Sequence, residues 1–206
     1  DMCSSKYYCD QLFKQNNLRT PITVPITYSD DSERAVKTGG LKFPLILKAS
    51  SGSQTGVGVI IVESMRSLHA TVQMLTFLKP YVDLLVQEYI KTDYDIRVLV
   101  SNGEVIAAMK RNVLSGDIRS NASLGAKTES IVLTEVEKQI SLKVAELVEG
   151  DLVGVDLLPA KNRDVDQPYI LEVNGTPGLG GIEEVTKGKS VTQEIMKTYL
   201  NRENWR

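Results

Sequence analysis

Val153-Gly154-Val155-Asp156-Leu157-Leu158 and Tyr169-Ile170-Leu171-Glu172-Val173-Asn174-Gly175-Thr176-Pro177-Gly178 are the two stretches that decide how this chain is read. Both are short apolar runs with polar residues set into them. Side chains along a strand alternate faces with period 2. Val153, Val155 and Leu157 therefore share one face, and Asp156 takes the other. In the second run Tyr169, Leu171 and Val173 are predicted to point one way, and Ile170, Glu172 and Asn174 the other. If the strands pair, Asp156, Glu172 and Asn174 converge. Three oxygen-bearing side chains on one face suit a hard cation of the Mg²⁺ type, completed by phosphate oxygens and water. The same alternation also permits a half-exposed hairpin with its polar residues in solvent.

Bulk properties narrow the classes. A chain of 206 residues suits one domain or two closely joined subdomains, and 42% hydrophobic residues are enough for a core. The net charge of −2 provides no basic field for nucleic acid or an anionic membrane, so neither partner is expected. Any phosphate binding must come from local Lys and Arg. Cys3 and Cys9 form neither a metal spacing nor a disulfide framework. With no signal peptide or membrane-spanning run in the sequence, a reducing cytoplasm is expected. His69, the single histidine, sits in a helical pattern suited to packing or surface. Without a Ser-His-Asp or Cys-His arrangement, a nucleophile-and-base hydrolase is disfavoured.

In chain order the pattern is α+β. A helix is predicted over 4–17, with Lys6 in its first turn and an end at Asn16-Asn17, followed by an extended exit at Pro21 and Pro25. A short helix follows over 32–38. A strand over 43–48 ends in Lys48 and leads through a glycine-rich tip, 49–58, into a strand over 59–62. Such a tip brings backbone N–H groups near phosphate oxygens. It is neither a P-loop, because no Gly-Lys-Ser/Thr follows, nor a Rossmann turn, because it opens a strand. The spacing of Met65, Leu68, Val72 and Leu75 predicts a helix over 64–79. Strands follow over 84–90, 95–101 and 104–111, the last two joined by Asn102-Gly103. A polar loop over 115–125 carries Arg119, Ser120 and Asn121. Thr134 and Glu137 form a capping box that starts a helix to about residue 149. After the opening strands come a Gly- and Pro-rich loop over 175–188 and a last helix over 190–201.

Lys6, Lys48, Arg97, Arg111 and Arg119 are the candidates to neutralise phosphates, and Asp156, Glu172 and Asn174 to hold Mg²⁺. Phosphoryl transfer asks a protein chiefly for positioning, metal ions and cations. The Gln87, Glu88 and Tyr89 segment is placed to lie beside a base, and Asp95 to accept from ribose hydroxyls.

The order Lys6, Lys48 with its glycine-rich loop, Val86-Gln87-Glu88-Tyr89-Ile90-Lys91, Asp95-Ile96-Arg97, Gly116-Asp117-Ile118-Arg119-Ser120-Asn121, Gly154-Val155-Asp156 and Glu172-Val173-Asn174-Gly175-Thr176-Pro177-Gly178 resembles the ATP-grasp superfamily. It is most similar to the RimK-like carboxylate–amine ligases, which add glutamate. The resemblance implies two α+β subdomains with ATP between them, a lid-like one over about 20–90 and a C-terminal one over about 91–206. The latter carries the Mg site, with helix 4–17 packed on it. It further implies that Lys6 and Lys48 contact ATP phosphates. Gln87, Glu88 and Tyr89 lie at the adenine, mostly through backbone, and Asp95 at the ribose. Arg119, Ser120 and Asn121 lie at the phosphates and the reacting carboxylate. Arg111, Arg119 and Asn121 are then catalytic. Asp156, Glu172 and Asn174 hold two Mg²⁺ ions, for which Mn²⁺ can substitute.

The implied reaction phosphorylates a carboxylate with ATP, after which an amine attacks the acyl phosphate. The implied partners are an amino-acid donor and a carboxylate-bearing acceptor, whether peptide, protein tail or small molecule, and such proteins are often homo-oligomers. A non-catalytic ATP-binding module of the same fold, as in synapsin, is the alternative. Two departures stand out. The family's usual N-terminal α/β domain is absent before Lys6, as in a minimal form or a piece of a longer protein. The loop after Lys48 carries one extra residue and no acid, and the loop after Asn121 reads Leu124-Gly125-Ala126 where the family has Gly-Gly.

Overall fold

A computed structural model of the chain describes residues 3, 5–28, 31–51, 58–79, 82–113, 127–186 and 188–200. Two antiparallel sheets organise them. The first has the order β1-β4-β2-β3, formed by β1 (Thr23–Ile26), β4 (Leu84–Glu88), β2 (Leu45–Ala49) and β3 (Val59–Val62). Ile26, Leu45, Leu47, Val62, Leu84 and Val86 make its core with Leu68 and Val72. Those last two come from α3 (Met65–Leu78), and α2 (Ser32–Thr38) packs beside it. The extended exit expected at Pro21 and Pro25 forms a strand, β1, at the edge of the sheet, with Pro25 inside it. Edges tolerate proline because one side of the strand needs no ladder donor.

The second sheet has the order β7-β6-β5-β8-β9. Its strands are β5 (Tyr94–Ser101), β6 (Glu104–Asn112), β7 (Thr128–Ser130), β8 (Leu152–Leu158) and β9 (Tyr169–Asn174). One face is apolar. Ile96, Val98, Val100, Val153, Val155 and Leu157 meet Cys9 and Phe13 of α1 (Lys6–Gln15) and Ile140 and Val144 of α4 (Glu135–Leu147). The other face is divided. Leu99, Ala107 and Met109 are covered by Ile182, Val191 and Ile195, from α5 (Gly180–Val185) and α6 (Val191–Leu200). Beyond them the same face turns polar, and the candidate site begins. Among the described residues no helix is long and apolar enough to cross a membrane.

Local signals set the helix ends. Ser5 Oγ accepts from Tyr8 N at the start of α1. Asn17 takes φ 57° at its end, and Leu18 N donates to Phe13 O over 3.0 Å. The Thr134–Glu137 capping box is present at α4. Glu137 is further held by Arg163 Nε over 2.7 Å.

The strict alternation expected in β9 does not hold. Asp156 pairs with Glu172, but the next residue, Leu157, pairs with Ile170. Leu171 is therefore an extra residue, a β-bulge. Ile170 consequently joins Val173 in the apolar core instead of sharing a face with Glu172. Nor is the 175–188 segment all loop, since α5 forms within it.

Candidate functional site

The polar half of the second sheet is built row by row. Arg97 lies opposite Asp156, and Asp156 opposite Glu172. One step to one side of this row Asp95 lies opposite Arg111, and one step to the other side Gly154 lies opposite Asn174. Period-2 alternation thus brings Arg111, Asp95, Arg97, Asp156, Glu172 and Asn174 onto one face from four strands.

The guanidiniums and carboxylates interlock. Arg97 Nε and Nη2 donate to the two Asp156 oxygens, each over 2.7 Å. Arg111 Nε and Nη2 donate to the two Asp95 oxygens over 2.6 and 2.7 Å. Arg111 Nη2 also lies 3.0 Å from Asp156 Oδ2. Burial alone would push the Asp156 carboxyl up; the guanidiniums of Arg111 and Arg97 override it and hold it down at about 2. Burial works against the charge of Arg111 too, yet Asp156 and Asp95 hold its proton more tightly than usual.

At the junction of the two sheets lies a cleft lined by Lys6, Cys9, Thr23, Lys48, Gln87 and Glu172, among others. Lys6 Nζ reaches Glu172 Oε2 at 3.4 Å. Lys6 is delivered by the first turn of α1, whose backbone N–H at Lys6 donates to Ser50 O over 3.1 Å just beyond β2. Lys48 is buried on β2. Desolvation pushes its ammonium down to about 8, with Glu172 and Asp10 raising it and Lys6 lowering it further.

The expected residues are placed as follows. Lys6, Lys48 and Glu172 meet in the cleft, and Asp156, Glu172 and Asn174 share the sheet face beside it. The side chain of Gln87 runs into the interior between Lys48 and Thr23. Glu88 is tied to β1's approach, since its N–H donates to Ile22 O over 2.8 Å and its carboxylate accepts from Ile22 N over 3.2 Å. Tyr89, just past β4, is half-buried. Asp95 is buried with both oxygens in the Arg111 fork, so a ribose hydroxyl would have to share them. Arg119, Ser120, Asn121 and most of the glycine-rich tip, 52–57, lie outside the described residues. The Thr23 and Pro21 end of the Gln87 network escaped the sequence reading. Its one signal is the polar Thr23 and Gln87 in otherwise apolar strands.

The donor set fits a hard cation. Among the described residues no three His, Cys, Asp or Glu side chains form a metal-holding group; on this face the Asn174 amide oxygen is a further oxygen beside Asp156 and Glu172. Asn174 Nδ2 is buried without a hydrogen-bond partner among the described residues. That NH₂ group is a donor and would suit an acceptor such as a phosphate oxygen, while the cation ligand of this side chain would be its Oδ1. Two carboxylates and an amide are an oxygen set of the kind Mg²⁺ takes.

The sequence profile of the RimK-like ATP-grasp domain matches residues 3–198. The chain belongs to the RimK-like ATP-grasp family. A probable alpha-L-glutamate ligase of Coxiella burnetii is 37% identical over 185 residues, covering 88% of this chain and 58% of that protein. The ribosomal protein bS6–L-glutamate ligase of Escherichia fergusonii is 36% identical over 179 residues, covering 85% of this chain and 57% of that one. The chain thus spans less than two thirds of these relatives. The ATP-grasp ligase PsnB, solved with a minimal precursor, Mg and ADP, superposes with a TM-score of 0.70 at 19% identity over 95% of this chain and 58% of that one. At that identity the likeness speaks for the ATP-grasp fold, to which the two α+β layers conform.

Proposed function

We propose that this chain is the ATP-binding and catalytic part of an ATP- and Mg²⁺-dependent carboxylate–amine ligase. It would join an amino acid, glutamate first among candidates, to a carboxylate-bearing acceptor such as a peptide or protein tail. The observation that carries this reading is the meeting of Lys6, Lys48 and Glu172 in one cleft beside Asp156 and Asn174. Family membership and the names of the glutamate ligases above support it.

In this reading Lys6 and Lys48 bind the phosphate chain of ATP from opposite walls of the cleft. Asp156, Glu172 and Asn174 hold two Mg²⁺ ions, or Mn²⁺ in their place, which neutralise phosphate charge. Arg97 and Arg111 keep Asp156 ionised and oriented. We assign Arg111, Arg119 and Asn121 to the transferred phosphoryl group, and Arg119 and Ser120 to the ATP phosphates, as the family resemblance implies. The backbone of Gln87 to Tyr89 borders the adenine, and Asp95 borders the ribose. The acceptor carboxylate takes the γ-phosphoryl group of ATP. The amine then attacks the acyl phosphate, forming the amide and releasing phosphate, so the chain needs no nucleophile of its own. We place the protein in the cytoplasm, as a homo-oligomer, where Cys3 and Cys9 stay reduced and outside any disulfide.

The test is to incubate the protein with ATP, Mg²⁺, glutamate and an acceptor library, following ADP and product mass. Acceptor-dependent ADP and a product heavier by one amino-acid residue are expected. Asp156→Ala combined with Glu172→Ala should abolish both. Thermal stabilisation by Mg·ATP without acceptor-dependent ADP would mark a binding module instead of a ligase.

A further inference from the structure

Lys48 is held by a hydrogen-bond chain whose direction is fixed at its far end. Lys48 Nζ donates to Gln87 Oε1 over 2.9 Å. Gln87 Nε2 donates to Thr23 Oγ1 over 2.7 Å. The Thr23 hydroxyl donates to Pro21 O over 3.0 Å. Lys48, Gln87 and Thr23 are all buried. A backbone carbonyl only accepts, so Thr23 uses its proton on Pro21 and must accept from Gln87. The Gln87 amide therefore turns its NH₂ toward Thr23 and its oxygen toward Lys48. The reverse orientation would set an NH₂ group against an ammonium.

The register of the first sheet makes this possible. Thr23 lies opposite Gln87 across β1 and β4. Gln87 lies opposite Ile46 across β4 and β2, two residues from Lys48 on the same strand face. The chain thus crosses three strands on the face turned to the cleft. A neutral acceptor suits its end. An amide oxygen holds the ammonium in place while leaving its charge for an incoming anion, whereas a carboxylate there would neutralise it. Glu172 of β9 and Lys6 and Asp10 of α1 supply the other charges felt by this ammonium.

We propose that Gln87, oriented by Thr23, is a positioning residue that fixes the Lys48 ammonium for the phosphate chain of the nucleotide. The inference rests on the reading that Lys48 binds phosphate, and it adds two residues that act through Lys48. It assigns the Gln87 side chain to the phosphate end of the cleft, and leaves its backbone as the part placed at the adenine.

The experiment is calorimetric titration of Mg·ATP into the full chain, with melting temperatures measured in parallel. The variants are Lys48→Met, Gln87→Leu, Gln87→Glu, Thr23→Val and Thr23→Ser. Lys48→Met and Gln87→Leu should each weaken binding about tenfold or more, as loss of a hydrogen bond to a charged group does. Gln87→Glu should also weaken it, because its carboxylate takes up the ammonium charge. Thr23→Val, which keeps shape and removes the hydroxyl, should weaken binding several-fold, and Thr23→Ser should restore it. A merely structural role would not separate valine from serine in this way at similar melting temperatures. Wild-type affinity in Gln87→Leu and Thr23→Val, with Lys48→Met still impaired, would overturn the positioning role alone. Equal losses in Thr23→Val and Thr23→Ser would overturn it as well. No Mg·ATP binding by the wild type, or undiminished binding by Lys48→Met, would remove the phosphate reading and the positioning role together.

Discussion

Arg111 Nη2 lies 2.7 Å from Asp95 Oδ2 and 3.0 Å from Asp156 Oδ2, so one guanidinium on β6 joins carboxylates from β5 and β8. Arg111→Met would leave both buried acids undercompensated. Removing one partner of a buried ion pair costs about 3–5 kcal/mol, and a loss of that order is expected in urea unfolding. Arg111→Lys should recover little of it, because a single ammonium cannot fill the fork that Asp95 occupies. A lysine variant as stable as the wild type would show that charge alone, not the fork, holds the cluster.

Acid should attack the same cluster. The Asp156 carboxyl is held at about 2, below its ordinary 3.8. A depressed carboxyl contributes stability that is present above the ordinary value and lost as pH falls through the folded one. The shift is worth about 2 kcal/mol, and that amount should disappear between pH 4 and 2. Urea midpoints across this window, compared with Asp156→Asn, isolate the contribution. The asparagine variant should lose less over the same interval.

Lys48 carries the opposite cost. Burial moves its ammonium from an ordinary 10.5 to about 8. Between those values the unfolded chain binds more protons, so stability should rise with pH, by up to about 3 kcal/mol. Lys48→Met removes the penalty and should stabilise the ligand-free protein at neutral pH by about 2 kcal/mol once the lost Gln87 bond is counted. The same variant should lose most of the thermal shift given by Mg·ATP. Melting with and without nucleotide reads both effects.

Gly154 is required by what lies over it. A Cβ at this position would sit 2.9 Å from Pro177 Cβ and 3.8 Å from Arg97 Nε. Gly154→Ala should push the segment after β9 off the sheet, at a cost of about 1–3 kcal/mol. Turnover should fall further than stability accounts for, because Asn174 and Arg97 flank the contact. Unchanged turnover in a destabilised variant would separate this contact from the site.

Most elements were legible because their signals are local. Strands β3, β5 and β8 follow from apolar runs, α4 from the Thr134–Glu137 box, and the end of α1 from Asn16-Asn17. Convergence of Asp156, Glu172 and Asn174 on one face was legible from period 2. What was hidden depends on contacts distant in sequence. The 21–26 segment read as extended but not as a paired strand, because Pro25 is acceptable only at a sheet edge, and edge position is a property of the whole sheet. The interior course of Gln87 needed Thr23, which is remote in the chain and adjacent only across β1 and β4. The pairing of Asp95 with Arg111 needed the β5–β6 register. The Ile170 error arose from one bulged residue that composition does not announce.

That bulge has a consequence for how the chain tolerates change in length. Because Leu171 is the surplus residue between Ile170 and Glu172, deleting it would leave Ile170 and Val173 facing the core and Glu172 and Asn174 facing the site. The pairing partners on β8 would become consecutive. Leu171 meanwhile lines the cleft. The strand therefore carries one residue that its ladder does not need, and a one-codon deletion there would reshape the cleft wall while sparing the fold that surrounds it.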